Sequence, residues 1–162
     1  MRIRVLMPFV AAAGLLALTV VGGTVGGTAG ATAPTGATTE TLSRATITGT
    51  YKVHIDGINL HLKGPVDIAT VRVTLAPGGS LGWHSHPGAT LVAVTSGTVT
   101  RVNAPDCTEE AVSAGQGFTE EPNLVHNLLN KTTATAETIA TFVVPVGAPL
   151  RVDEAAPPGC NP

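Results

Sequence analysis

Two histidines one residue apart, His84 and His86, are the residues of this sequence best suited to chemistry. Alternate residues of an extended strand point to the same side, so both imidazoles should project together. Two imidazoles at this spacing can chelate a divalent ion. His126 offers a third ligand, because Leu124 and Leu128 on either side of it indicate an apolar, inward face. The sequence therefore predicts a divalent metal site formed by His84, His86 and His126.

The two remaining histidines provide a comparison within the same chain. His54 and His61 lie in early alternating segments beside charged residues, with no partner at ligand spacing. We interpret both as surface residues. His126 on its own would more often be a hydrogen-bonded core residue than a ligand, so its assignment depends on the His-x-His pair.

Short runs rich in Val, Ile, Thr and Leu must position these histidines. From Thr46 onward the runs are separated by Gly, Pro, Asn and Asp, with turn signals about every ten residues. No apolar stripe at helical spacing stands out, so the pattern predicts an all-β antiparallel sandwich or barrel. The chain has one Trp, one Tyr and three Phe. A barrel interior built this way would be aliphatic and open enough to hold a small ligand.

Residues 78–97 resemble the first motif of the cupins. That motif has a glycine, five intervening residues and His-x-His, then a glutamate and, after six intervening residues, a second glycine. Gly78, His84, His86 and Gly97 fall in this register. Thr90 occupies the position of the glutamate, and its hydroxyl is a weak, uncharged ligand.

The second cupin motif is also partly present. Gly115, His126 and Asn130 match its spacing, whereas Glu121 replaces its proline and Asn123 its second glycine. Asparagine tolerates the left-handed backbone conformation that such a turn requires, so we expect the turn to survive. The resemblance extends over roughly residues 65–147 and implies a small β-barrel of the jelly-roll type.

Three functions stay open at this point. The first is a non-catalytic binding protein, in which the barrel captures a small ligand, anionic or not, or a metal ion. The second is a metal-dependent enzyme, since some cupin dioxygenases resemble this pattern and hold Fe(II) with three histidines. The third is a metal-free structural barrel. The resemblance also implies pairing of barrels into a homodimer, which the sequence does not decide.

Several neighbouring residues are candidates for an auxiliary role. Thr90 faces the predicted site. Glu120 or Glu121 would act as a nearby base or replace the missing carboxylate ligand, although a solvated pair of turn residues is the simpler interpretation. Phe118 shares strand parity with His126 and is a candidate for the pocket wall. Trp83 should point away from both histidines.

The missing carboxylate changes the predicted charge of the site. Three neutral imidazoles and one carboxylate would leave a divalent site at about +1, whereas three imidazoles with Thr90 leave it near +2. We therefore expect weaker metal binding, an open position for water and a preference for anions. Imidazole suits several transition metals, so zinc, iron, manganese and nickel all remain candidates.

The N-terminal third differs in composition from the rest. Residues 1–31 have early arginines, an apolar run and small residues before the predicted cleavage point, which is typical of a signal peptide. An uncleaved membrane anchor is the alternative. Residues 32–45, rich in Thr, Ala and Pro, are predicted to be a flexible linker. The barrel is assigned to residues 46–150 and a C-terminal tail to 151–162.

Charge and cysteine content indicate which partners and which compartment to expect. Removal of the leader leaves seven basic against eleven acidic side chains, and this gives no electrostatic footprint for nucleic acid. Cys107 and Cys160 are the only cysteines, and in an exported chain an isolated pair indicates a disulfide. The sequence thus predicts a secreted protein without stable membrane insertion, whose tail is tied to the barrel.

Overall fold

The computed structural model describes residues 30–160. All regular secondary structure in this range is β-strand, which confirms the all-β prediction. The strands are β1 (Thr35–Ile47), β2 (Tyr51–Ile55), β3 (Ile58–Leu62), β4 (Val66–Ser80), β5 (His84–Ser85), β6 (Ala89–Ser96), β7 (Thr98–Asn103), β8 (Thr108–Ser113), β9 (Gly117–Glu120), β10 (His126–Leu129), β11 (Ala136–Pro145) and β12 (Val152–Asp153). No helix among the described residues is long and apolar enough to cross a membrane.

Ten of these strands form one antiparallel sheet that curves into a nearly closed jelly-roll barrel. Strand β4 pairs with β1, β10 and β11, and β11 continues the sheet to β6 and then β9. Strand β10 also pairs with β5 and β7. The hairpin β2–β3 forms a separate two-stranded sheet, which carries the exposed histidines His54 and His61 as predicted.

The core follows from strict alternation along β4 and β11. Every second residue is buried over residues 66–75 of β4 and along β11, because alternate side chains of a strand point to opposite faces. The inward positions are mostly small or aliphatic, as the composition predicted. The core residues of the two strands are Ala69, Val71, Val73, Leu75, Ala136, Ala140, Phe142 and Val144.

The first strand corrects the prediction of a flexible linker over residues 32–45. Thr35–Ile47 pairs with β4 along nearly its whole length, with two register shifts. Most of its side chains are exposed, so it needs backbone pairing rather than apolar bulk. Threonine also suits a strand. The barrel sheet therefore begins well before residue 46.

A buried carboxylate fastens the end of β1. Asp67 accepts hydrogen bonds from the Thr46 hydroxyl at 2.6 Å, the Arg44 Nε at 2.9 Å and the Gly147 backbone N–H at 3.0 Å. The hydrogen bond from Thr46, then those from Gly147 and Arg44, lower the pKa of Asp67 from 3.8 to about 2. This carboxylate joins β1 and β4 to the turn after β11.

The C-terminal tail packs on the outside of the barrel. The predicted disulfide between Cys107 and Cys160 is confirmed, with the Cα atoms 5.4 Å apart. Together with the tail it covers Trp83, which is fully buried against Val102 and Leu129. The indole thus points away from the histidines, as predicted. The predicted signal peptide, residues 1–31, lies outside the described residues except for its last two.

Candidate metal centre

Three buried histidines meet where β5 and β10 pair. His84 and His126 are register partners on these strands, and His86 follows directly after β5. None of the three is more than 4% exposed. Their candidate ligand nitrogens all lie within 4.8 Å of one another. We refer to His84, His86 and His126 as the three-histidine cluster.

One nitrogen of each ring is held by a backbone carbonyl. The Nδ1 atoms of His84, His86 and His126 lie 2.8, 2.7 and 2.9 Å from carbonyl oxygens, which belong to residues 82, 150 and 124 respectively. A carbonyl only accepts, so each Nδ1 must carry the proton. Each Nε2 is then left with a lone pair, which is the tautomer a metal ligand needs.

Glycine at position 82 contributes directly to this arrangement. Its φ of 72° lies in the left-handed region, which is open to glycine at little cost. Because His84 follows two residues later, the carbonyl of Gly82 can meet its Nδ1. The bend before β5 thus fixes the orientation of the first imidazole.

The carboxylate of Glu120, at the end of β9, lies against the three-histidine cluster. The Oε2 of Glu120 lies 3.1 Å from the Nε2 of His86, and its Oε1 lies 3.2 Å from the Nε2 of His126. Glu120 is 7% exposed. Its register partner across β6 and β9 is Thr90, and residues directly opposite in an antiparallel pair project to the same face. Glu120 therefore brings a carboxylate to the face on which Thr90 lacks one.

When His86 and His126 are neutral, each donates its Nδ1–H to a backbone carbonyl and turns only a lone pair toward Glu120. Burial is the largest influence on Glu120 and by itself raises its pKa, but protons on the facing nitrogens of His126 and His86, when present, outweigh burial and hold the pKa below its usual range. Burial is the largest influence that lowers the pKa of His84 well below its usual value, and the charge that His126 carries when protonated and the guanidinium of Arg151 add to it. The Nε2 of His126 has no hydrogen-bond partner among residues 30–160. An ionised carboxylate facing imidazole lone pairs requires a cation or added protons between them.

Residues 71–142 match the family model of the cupin domain. This range contains the three-histidine cluster and Glu120. The chain belongs to the cupin superfamily. The match runs from within β4 to within β11, so β1 and the C-terminal tail lie outside it.

Known proteins resemble the cupin chain over part of its length. Germin-like protein subfamily 3 member 1 of Arabidopsis thaliana is 27% identical over 114 residues, which are 67% of this chain and 51% of that protein. The chain thus spans about half the length of this curated relative. A cupin domain from Bordetella pertussis shares 16% identity with a TM-score of 0.48, over 70% of this chain and 98% of that one. Oxalate oxidase in complex with glycolate shares 24% identity with a TM-score of 0.44, over 49% and 46%.

The turn before the third histidine survives its altered cupin motif. Asn123 adopts a φ of 61°, the left-handed conformation expected for the residue that replaces glycine. Its backbone N–H donates to the carbonyl of His86 at 2.8 Å. The turn thus links the segment of His126 to that of His86.

The auxiliary candidates divide into those near the cluster and those away from it. Thr90 is buried, and its hydroxyl has no hydrogen-bond partner within the described range. Glu121 is exposed, as expected for a solvated turn residue. Phe118 is half-buried beneath the Arg101 guanidinium, 5.2 Å from the ring centre. The aromatic ring beside the cluster is instead Phe142, whose centre lies 5.1 Å from that of His86.

Two cavities of the cupin barrel reach the histidines. An inner cavity of about 30 Å³ contacts His84, His86 and Glu120. A larger space of about 190 Å³, which we call the entrance cleft, opens beside it. Both β1 and the segment after β11 contribute to the entrance cleft, which the sequence reasoning missed. Its lining residues are Thr39, Thr41, Val71, Val73, Leu81, His84, His86, Phe142, Leu150 and Arg151.

Proposed function

We propose that this cupin binds a divalent metal ion through His84, His86, His126 and Glu120, and presents it to a small ligand. The observation that carries the proposal is the orientation of the imidazoles. All three rings use Nδ1 on backbone carbonyls, which leaves three Nε2 lone pairs and a carboxylate around one buried point. A hydrogen bond from the other ring nitrogen to a backbone carbonyl fixes the orientation of a histidine that binds metal.

Glu120 changes the charge expected for the site. With its carboxylate among the ligands, a divalent ion would leave the centre near +1 rather than the +2 expected with Thr90. The position of Glu120 supports tighter binding than three imidazoles alone would give. Nitrogen and oxygen ligands together suit zinc, iron, manganese and nickel, and the donor set does not select one of them.

Bound there, the metal would supply Lewis-acid polarisation of a coordinated ligand or redox chemistry, according to its identity. The chain's own residues would hold it, keep bulk water out and orient whatever enters through the entrance cleft. A binding protein is the function we propose. A metal-dependent, dioxygenase-like oxidoreductase is the second candidate, favoured by the cleft that gives a substrate access to His84 and His86.

Metal content provides the direct test. The protein is purified without chelators, and metals are counted by mass spectrometry in the wild type, a His84→Ala/His126→Ala double variant and a His61→Ala control. The exposed His61 lies on the separate hairpin, so its loss should leave the metal in place. We expect about one metal per chain in the wild type and control and none in the double variant. A wild type that stays empty after incubation with zinc, manganese, nickel and iron(II) would exclude the proposal.

We further propose that the protein is exported. The leader-like composition of residues 1–31 and the Cys107–Cys160 disulfide support this, because disulfides persist in oxidising compartments. N-terminal sequencing of protein recovered from the culture medium tests it. The expected N-terminus is Thr32, and recovery of the intact chain only from the cell would contradict export.

A further inference from the structure

The entrance cleft combines an apolar wall with one positively charged end. Val71 and Val73 of β4, together with Leu150, line its side. Arg151 is the only permanently charged residue in the lining, which otherwise consists of aliphatic, threonine, phenylalanine and histidine side chains. A ligand that fits must therefore carry both an apolar part and a group that pairs with a guanidinium.

Arg151 is held in place but keeps unused donors. Its Nε donates to the Asp153 carboxylate at 2.5 Å and its Nη2 to the carbonyl of Leu81 at 2.8 Å. A guanidinium carries five N–H groups, and the other three have no hydrogen-bond partner among the described residues. The exposed carboxylate of Asp153 fixes the guanidinium and offsets part of its charge. A pre-positioned guanidinium of this kind suits a monoanion.

Strand β1 adds hydroxyls to the same cleft. Thr39 and Thr41 point to one side of the strand and lie opposite Val73 and Val71. Both are exposed, and neither side chain has a hydrogen bond within residues 30–160. Their hydroxyls can donate to a carboxylate oxygen. These threonines and Arg151 all lie outside the range that matches the cupin family model.

We propose that the entrance cleft binds a short-chain monocarboxylate, with its acid group at Arg151 and its aliphatic part against Val71, Val73 and Leu150. The inference rests on the proposed function, since the cleft ends at the ligands His84 and His86. Its volume of about 190 Å³ lies below the range of pockets for drug-sized ligands. This favours an acid of a few carbon atoms over a larger organic anion.

An acid and its amide have nearly the same shape but differ in charge, so comparing their affinities measures the effect of the charge. Butyrate and butyramide are titrated by NMR into metal-free and zinc-loaded protein. We expect butyrate to bind about tenfold more tightly than butyramide in both forms, because a charged hydrogen bond replaces a neutral one. Acetate should bind more weakly than butyrate, while inorganic phosphate should not displace butyrate.

Variants that each remove one arginine charge, inside or outside the cleft, show where the acid group binds. Arg151→Gln should bind acid and amide equally, and Arg151→Lys should keep part of the preference, which also covers the case in which the glutamine variant folds poorly. Arg72→Gln removes the same charge from the outer face of β4, where Arg72 pairs with Glu40 at 2.6 Å, and should behave as the wild type. Equal affinities in the wild type, or a preference that survives Arg151→Gln, would overturn the inference.

The two proposals fail in different ways. If the wild type binds no metal but the metal-free protein prefers butyrate through Arg151, the metal proposal fails and the ligand class stands. If metal binds and the preference for the acid is absent from the metal-free protein, the metal proposal stands and the role of Arg151 is wrong.

Discussion

Asp67 and Glu120 are the two buried acids among residues 30–160, and their surroundings are opposite. Asp67 faces donors, namely the Thr46 hydroxyl, the Arg44 guanidinium and the Gly147 N–H. Glu120 faces two imidazole nitrogens whose rings already donate from their other nitrogen. A buried carboxylate is stable when its partners donate. The described residues therefore satisfy Asp67 by themselves, whereas our proposal assigns a cation to Glu120.

Metal saturation should produce the largest difference between these two regions. A ligand that binds only the folded state at about a thousand times its Kd stabilises the fold by about 4 kcal/mol. We expect the thermal midpoint of the wild type to rise with metal concentration and to fall again with a chelator. Asp67→Asn should show the same metal-dependent rise from a lower starting point. If the midpoint does not respond to metal, the protein's own groups satisfy Glu120 as they do Asp67.

Glu120→Gln should lower the affinity for metal but raise the stability of the metal-free protein. Loss of the charge should weaken metal binding at least tenfold, since even outer contacts of metal ligands are worth about 10–100-fold. At pH 8 the metal-free variant should be more stable than the metal-free wild type by about 1 kcal/mol, because the amide donates to an imidazole lone pair. Calorimetric metal titration and denaturant unfolding measure the two effects.

Asp67→Asn is the matched control for the direction of this change in stability. It removes a charge that three donors already satisfy, so it should lower stability and leave metal affinity unchanged. A loss of stability in metal-free Glu120→Gln as well would show that imidazolium donors complete Glu120 without a metal.

A third, smaller effect should come from exchanging the facing residues Thr90 and Glu120. Because the two are register partners on one face, a carboxylate at either position lies near the cluster. Glu120→Thr alone should lose metal affinity, and adding Thr90→Glu should recover part of it. Binding isotherms of the single and double variants provide the measurement. No recovery in a folded double variant would mean that only β9 directs the carboxylate to the histidines.

The sequence predicted the histidines more completely than their surroundings. His-x-His spacing and alternation place His84 and His86 on one face, and the second motif adds His126. The choice between Glu120 and Glu121 stayed open, because it depends on where β9 ends and which residue faces Thr90. A one-residue change in strand register moves every side chain to the other face. Strand parity named Phe118 as a candidate for the pocket wall, but it could not show that Phe142 lies beside the cluster.

Strand β1 shows a different limit of sequence reasoning. Its threonines and alanines resemble a linker because an outer strand exposes most of its side chains and is held by its backbone. The composition of such a strand contains little sign of burial. Thr39, Thr41 and Arg151 could not be assigned to a site for the same reason, since only the pairing of β1 with β4 and the course of the chain after β11 bring them to the histidines.

Acid should produce the smallest of the four effects, and it should affect the Asp67 region. The pKa of Asp67 is lowered to about 2 from 3.8, so the folded state favours the ionised form. Its contribution to stability is complete above about pH 4 and is lost as the pH falls from about 4 to 2. The effect should be modest because Arg44 is one-third exposed, with a side-chain exposure of 33%, and water screens its charge. In metal-free protein, denaturant unfolding of Asp67→Asn between pH 5 and pH 2 should therefore show a shallower fall than that of the wild type. Equal slopes would mean that the three donors hold β1 just as well against a neutral side chain.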